Sequence, residues 1–316
     1  FPANFPFNTS WKKSDFEQKE LLGRGRLGAV SHVIERRTQR HAAWKEVNYT
    51  TQDEVIQTDN EIAIMRKIYE AVSKQNHPSL VHIVQPLGFF VDIDTNKGYF
   101  VMELCSKGDL WKYIENMKAQ RNEVSPELAY KIIGQVASSI KQLHVNGIMH
   151  SNLKLENVLL TSDLKVKLAD FGLQRQYQVG RGYMTTLGGS FLYLGPEIIR
   201  SRINMQVQAG YAFAQAQQTP YNPTQYFAAD IWAFGVMMFE LIAQHHPFFN
   251  SKTEVNVSAE EFIHRIVNTP PAELPERYPQ KLKELIKYML NKDPSRRIRA
   301  DQILEISEVA AVYALN

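Results

Sequence analysis

The glycine-rich stretch Glu20-Leu21-Leu22-Gly23-Arg24-Gly25-Arg26-Leu27-Gly28-Ala29-Val30 narrows the possible folds most sharply. A G-x-G-x-x-G pattern is weak by itself. In a dinucleotide fold it should open a helix, with an acidic residue about 20 positions on. Here Val30-Ser31-His32-Val33-Ile34 leads out with the alternation of a strand. Strand–turn–strand is therefore expected, with glycines that let backbone amides come close to a ligand's phosphates. Read without its surroundings, the stretch is equally a plain glycine hairpin.

The segments that follow favour the first reading. Ala42-Ala43-Trp44-Lys45-Glu46-Val47 alternates and is β-prone, although a lone strand lysine is usually a solvated edge residue. Residues 53–71 then carry Val55, Ile56, Ile62, Ile64, Met65 and Ile68 at helical spacing, with Glu61 among them. Residues 80–104 read as two further strands about the polar turn Asp92-Ile93-Asp94-Thr95-Asn96-Lys97-Gly98. At Cys105-Ser106-Lys107-Gly108-Asp109 the composition changes, and a domain boundary is placed there. Beyond it the chain turns helical. Ser125 as N-cap and Pro126 at the first position start a helix, whose buried face is Ala129, Ile132, Ile133, Val136, Ile140 and Leu143. Between Glu197 and Asp230 a Gln/Ala/Tyr-rich segment has little charge and no firm period. Residues 200–226 are read from it as a long surface loop or disordered insert, and as a candidate partner surface. Helices resume from Asp230.

Composition excludes several function classes. Apolar residues make up 44% of the 316 and charged ones 22%, as in soluble globular proteins. A net charge of +3 gives no reason to expect nucleic acid or an anionic membrane as partner. One cysteine, Cys105, excludes an internal disulfide and fits a reducing compartment. The longest apolar run, 231–243, contains Glu240 and is too short to insert across a bilayer. No basic start followed by an apolar block opens the sequence, so a soluble, cytoplasmic protein is expected.

The chemistry concentrates at His150-Ser151-Asn152-Leu153-Lys154-Leu155-Glu156-Asn157, followed by Asp170-Phe171-Gly172. These stretches keep the frame of the catalytic-loop pattern H-R-D-L-x-x-x-N and of D-F-G, with Ser151 for the Arg and Asn152 for the Asp. In phosphoryl transfer that Asp accepts the proton of the substrate hydroxyl, while the Asn and the D-F-G Asp hold metal ions. A carboxamide oxygen accepts hydrogen bonds but takes no proton near neutral pH. The metal ligands are present and the proton acceptor is missing.

With these pieces in order, residues 16 to 307 resemble a eukaryotic protein kinase domain, and locally the NIMA-related (NEK) kinases. The local likeness is carried by Trp44-Lys45-Glu46-Val47-Asn48-Tyr49, by Val101-Met102-Glu103-Leu104-Cys105 with Gly108-Asp109-Leu110, and by Leu274-Pro275 through Asp293-Pro294-Ser295-Arg296-Arg297. The resemblance implies a bilobal α+β fold: an N-terminal extension over 1–15, a mostly β N-lobe over 16–104 and a mostly helical C-lobe over 105–316. It implies binding of ATP and Mg²⁺. Gly23, Gly25 and Gly28 would cover the phosphates, and Val30, Ala43 and Leu159 would sandwich the adenine. Backbone groups of Glu103 and Cys105 would bond the adenine edge, with Met102 as gatekeeper. Lys45 would reach the phosphates, fixed by Glu61, while Asn157 and Asp170 would hold the magnesium. Lys154 would neutralise charge on the transferred group. Asp230 would anchor the catalytic loop, Glu197 would pair with Arg297, and Thr186 is the position phosphorylated in NEK relatives.

The departures from that family are as informative. Asn152 removes the base, and Ser151 removes the arginine that clamps a phosphorylated activation loop. Gly195-Pro196-Glu197 replaces A-P-E, and Ser190-Phe191 replaces the Thr-Pro of the substrate groove. Three readings follow: a nucleotide-binding pseudokinase acting as scaffold or allosteric partner, a weakly active Ser/Thr kinase, or an interaction module with an empty nucleotide site. The third is motivated by Arg24 and Arg26, whose side chains could fold into that site.

Overall fold

The computed structural model describes residues 2, 4–25, 28–75, 80–170, 192–201, 223–250, 253–254 and 257–313. It separates into two compact units, one of Phe1–Asp109 with Val158–Gln174, the other of Leu110–Asn157 with Arg175–Asn316.

The first unit is built on a five-stranded antiparallel sheet in the order β1-β2-β3-β5-β4. The strands are β1 (Phe16–Gly25), β2 (Gly28–Glu35), β3 (Arg40–Asn48), β4 (Pro86–Asp92) and β5 (Lys97–Met102). β1 and β2 form the strand–turn–strand expected of the glycine-rich stretch, ending at the pair Gly25–Gly28. Gly28 is dictated by close approach, because a Cβ there would lie 1.9 Å from the carbonyl oxygen of Glu46. Helix α1 (Gln52–Gln75) starts at a reciprocal cap in which the Thr51 hydroxyl accepts from Glu54 N and the Glu54 carboxylate accepts from Thr51 N. β4 and β5 flank the polar turn, where Asn96 takes a left-handed φ of +51°. One face of the sheet carries an aromatic core of Trp11, Phe16, Trp44, Phe90 and Tyr99. Ring centroids there lie 4.7 Å apart for Trp44–Tyr99 and 5.1 Å for Phe90–Tyr99, the range of favourable aromatic pairs. Short strands β6 (Val158–Leu160) and β7 (Val166–Leu168) complete the unit.

The described residues of the segment 1–15, which shows no period in the sequence, dock on this sheet. Asn8 N donates to Leu87 O at 2.9 Å and Asn8 O accepts from Phe89 N at 3.0 Å, a parallel bridge on the outer edge of β4.

The second unit is helical: α2 (Leu110–Ala119), α3 (Pro126–Val145), α4 (196–201), α5 (Pro223–Ala243), α6 (Ala259–Asn268), α7 (Gln280–Met289), α8 (Ala300–Leu304) and α9 (Ser307–Tyr313). In α3 the Ser125 hydroxyl caps Leu128 N at 3.2 Å, and the six apolar positions expected inside are all buried. Helix α5 is apolar and buried nearly all round from Ile231 through Ile242, with the half-buried Glu240 as the exception. It begins at Pro223, earlier than the apolar run from Asp230 suggested. Residues 223–226 are therefore helix and not insert, and 200–201 close α4. Pro223 suits a helix's first position, where no backbone N–H is required. Residues 202–222 lie outside the described residues. Among the described residues no helix is long and apolar enough to cross a membrane.

Candidate active site

In the first unit the strand register places Lys45 opposite Val30 on β2 and Phe100 on β5. Its Nζ lies 2.6 Å from Glu61 Oε1, with the two side chains 14% and 12% exposed. Partial burial weakens solvent screening, so this pair holds both β3 and α1 in place more firmly than a surface pair would. Ala43 is buried opposite Met102, and Val30 and Leu159 are half-buried. Arg24 is exposed, while Arg26 lies outside the described residues.

The segment after β5 presents its backbone selectively. Glu103 N–H is used by Gln85 O at 3.0 Å and Cys105 O by Gly108 N at 3.2 Å. The Glu103 carbonyl and the Cys105 N–H remain as an acceptor and a donor two residues apart, the pattern an adenine edge requires. The Glu103 side chain is engaged elsewhere, accepting from Gln85 N at 2.7 Å and pairing with Lys167 Nζ at 2.9 Å. Burial pushes the Cys105 thiol well above its ordinary range, so it is inert as a nucleophile. A hollow of about 480 Å³ opens beside this segment, lined by Glu20, Leu22, His32, His41, Glu103, Leu104 and Ser106. Its two imidazoles were missed in the sequence. His32 Nδ1 lies 2.9 Å from Glu20 Oε1, and His32 Nε2 lies 2.7 Å from His41 Nδ1. The available signal was strand alternation, which puts His32 on the same face as Val30.

In the second unit the loop 150–157 is organised by Asp230 on α5. Its carboxylate, 2% exposed, accepts from His150 N at 2.8 Å and Ser151 N at 2.9 Å, and lies 3.0 Å from His144 Nε2. Those bonds hold Ser151 at a left-handed φ of +63°, a conformation that costs on the order of 1–3 kcal/mol and needs such support. Asn157 donates from Nδ2 to Asn152 O at 2.8 Å. The nitrogen of that amide thus faces inward, leaving the oxygen, the atom a hard cation takes. Asn152 is buried, and Lys154 is half-buried, its carbonyl accepting from Asn157 N at 3.0 Å. Asp170, assigned to the first unit, takes a φ of +59°.

Two further pairs frame this unit. Arg297 grips Glu197 with two parallel bonds of 2.7 and 3.0 Å and also donates to Ala228 O and Asn291 O. Its side chain is wholly buried. Tyr193 OH donates to Glu240 at 2.7 Å, and burial pushes the Glu240 carboxyl up to about 7. The sequence had marked Glu240 only as the charge interrupting an apolar run. Thr186, Ser190, Phe191, Phe171 and Gly172 lie outside the described residues.

A glycine-rich strand pair, a strand lysine paired with a helix carboxylate, and an Asp-anchored loop with an inward-turned Asn are each features of a protein kinase domain. Residues 16–307 match the protein kinase domain family, and the chain belongs to it. Similar proteins include NUAK family SNF1-like kinase 1 of Homo sapiens, 30% identical over 294 residues, covering 92% of this chain and 38% of that protein. Serine/threonine-protein kinase Nek3 of Mus musculus is 29% identical over 290 residues, covering 90% and 47%. Serine/threonine-protein kinase PLK4 of Drosophila grimshawi is 28% identical over 290 residues, covering 92% and 33%. The NIMA-related likeness is thus shared with other Ser/Thr kinases, and this chain spans less than half the length of these relatives.

Proposed function

We propose that this chain is a pseudokinase that binds Mg-ATP and acts through its shape, as a scaffold or allosteric partner of other cytoplasmic proteins. The observation that carries it is Asn152, a carboxamide at the position of the base, beside binding residues that are all retained. Glu103 O and Cys105 N–H would take the adenine edge, with Val30, Ala43 and Leu159 on its faces. Lys45, held by Glu61, would bind the α and β phosphates beneath Gly23, Gly25 and Gly28. Asn157 Oδ1 and Asp170 would hold Mg²⁺, which when bound offsets the phosphate charge. Among the described residues no three His, Cys, Asp or Glu side chains gather into a metal site. The ion would therefore depend on phosphate oxygens and water for its remaining ligands.

A thermal-shift titration tests this. A ligand bound only by the folded state at about 100 times its Kd adds about 2.7 kcal/mol, a rise of several degrees for a domain this size. The rise should vanish in Lys45→Met and Asp170→Ala. No rise at millimolar Mg-ATP would remove the nucleotide half of the reading.

The formed Lys45–Glu61 pair favours a second reading, a weakly active Ser/Thr kinase. Positioning and charge neutralisation supply most of phosphoryl transfer, and a general base contributes about 10²–10⁴ in rate. Slow transfer from radiolabelled ATP to generic protein substrates, abolished by Asp170→Ala, would establish it. The third reading, an interaction module with an empty nucleotide site, rests on Arg24, which is exposed, and on Arg26, which lies outside the described residues. Residues 200–226 stand as the proposed partner surface, tested by deleting 202–222 and measuring whether bound partners are lost.

A further inference from the structure

We propose that the N-terminal segment 2–11 is a positioning strap that holds α1 where Glu61 reaches Lys45. Its contacts reach both halves of the nucleotide machinery of the first unit. At its centre Asn8 is bonded on both sides to β4, and its Oδ1 accepts from Ser10 N and Trp11 N, turning the chain into the core. Trp11 is buried, with Phe5 stacked on it at 5.8 Å. Gly88 opposite Asn8 has no room for a side chain: a Cβ would lie 2.3 Å from Asn8 O and 2.7 Å from the Trp11 ring.

From this anchored centre two arms extend. Phe7 lies under the Arg66 guanidinium at 4.3 Å, on α1 and a turn and a half beyond Glu61. Pro2 O accepts from Gln85 Nε2 at 2.9 Å, Gln85 N donates to the Glu103 carboxylate, and that carboxylate pairs with Lys167. The strap therefore touches the helix that supplies Glu61 and, through Gln85, is linked to the carboxylate beside the backbone edge at Glu103. Inner-face packing of α1 through Ile62, Met65 and Ile68 fixes its distance from the sheet. Phe7 adds a hold on the outer face, where the helix otherwise meets water.

The consequence for ATP rests on the nucleotide-binding reading above, so the test has one arm that does not need nucleotide. Hydrogen exchange of α1 amides is followed in the ligand-free full chain for Phe7→Ala, Arg66→Ala, Gly88→Ala and the conservative Phe7→Tyr, with β2 amides as internal reference. A cation–π contact of ordinary strength corresponds to about a fivefold change. Exchange in α1 should accelerate by about that factor in Phe7→Ala and Arg66→Ala, further in Gly88→Ala, and return towards the parent in Phe7→Tyr, with β2 unmoved. Mg-ATP Kd should weaken in step.

Unchanged α1 exchange in all three disruptive variants overturns the strap, whatever the nucleotide result. Faster α1 exchange with an unaltered Mg-ATP Kd overturns its positioning role. If the parent chain binds no Mg-ATP, the exchange arm still decides the strap, and only the nucleotide reading falls.

Discussion

Asn152 and Asn157 are the same carboxamide, both buried, and their places in the loop separate them. Asn157 turns its nitrogen inward to Asn152 O, the orientation that the proposed cation role of its oxygen requires. The amide of Asn152 occupies a place where only a carboxylate could receive a proton. Asn152→Asp should raise transfer from radiolabelled ATP to protein hydroxyls by about 10²–10⁴, the ordinary contribution of a general base. An unaltered rate would assign the defect to Ser151 and the substrate groove instead. The Glu197–Arg297 pair gives a prediction in stability. Arg297→Met would strand a buried carboxylate and should cost about 3–5 kcal/mol in urea denaturation. Glu123→Gln, which breaks an exposed pair with Arg277 at 2.7 Å, should cost less than about 1 kcal/mol.

Helices in this chain begin where local chemistry says they should, and strands pair as their periods suggest. Ser125 caps α3 and Thr51 with Glu54 caps α1, both readable as a hydroxyl just ahead of an apolar-periodic run. Ser125→Ala should destabilise the chain by about 1 kcal/mol and Ser125→Asp should not, as chemical denaturation would show. The start of α5 was less legible. Gln225 and Tyr226 carry no helical signature, whereas from Ala228 to Ile242 the helix is almost wholly buried, and a Cβ on Gly235 would lie 2.8 Å from Met289. The N-terminal segment was illegible for the same reason. Its order comes from an exposed β4 edge and an aromatic core supplied by distant residues.

At the scale of the whole molecule, three buried groups among the described residues contribute to the pH response between about pH 4.5 and 6.5. Burial pushes the His82 and His246 imidazoles down to about 4 and the Glu240 carboxyl up to about 7. Between about pH 4.5 and 6.5 the unfolded chain protonates both imidazoles, which the native state keeps neutral. The native state keeps Glu240 protonated, which the unfolded chain does not. Unfolding thus takes up one net proton, and stability should rise by about 1.4 kcal/mol per pH unit across that window. Replacing both histidines with glutamine removes their uptake of protons on unfolding and should reverse this contribution to the slope, because the stabilisation from Glu240 is lost as pH rises towards 7. Urea midpoints at pH 5 and pH 6 on parent and double variant would measure both signs.

Sequence alone determined the local features of this protein: a glycine hairpin ahead of a strand lysine, helices announced by their caps, and a carboxamide at the place of a base. Each follows from a few neighbouring residues, because backbone period, capping and functional-group chemistry act over one or two turns of chain. The family resemblance had already named Glu61 as the partner of Lys45, and the tertiary structure brings the two to 2.6 Å. Tertiary structure alone decided that the His144 ring joins two backbone donors around Asp230, that His32 and His41 share one hollow, and that the N-terminal segment lies along β4 against α1. Those outcomes depend on strand register and on desolvation by residues far away in the chain, and neither is set until the core has closed around them.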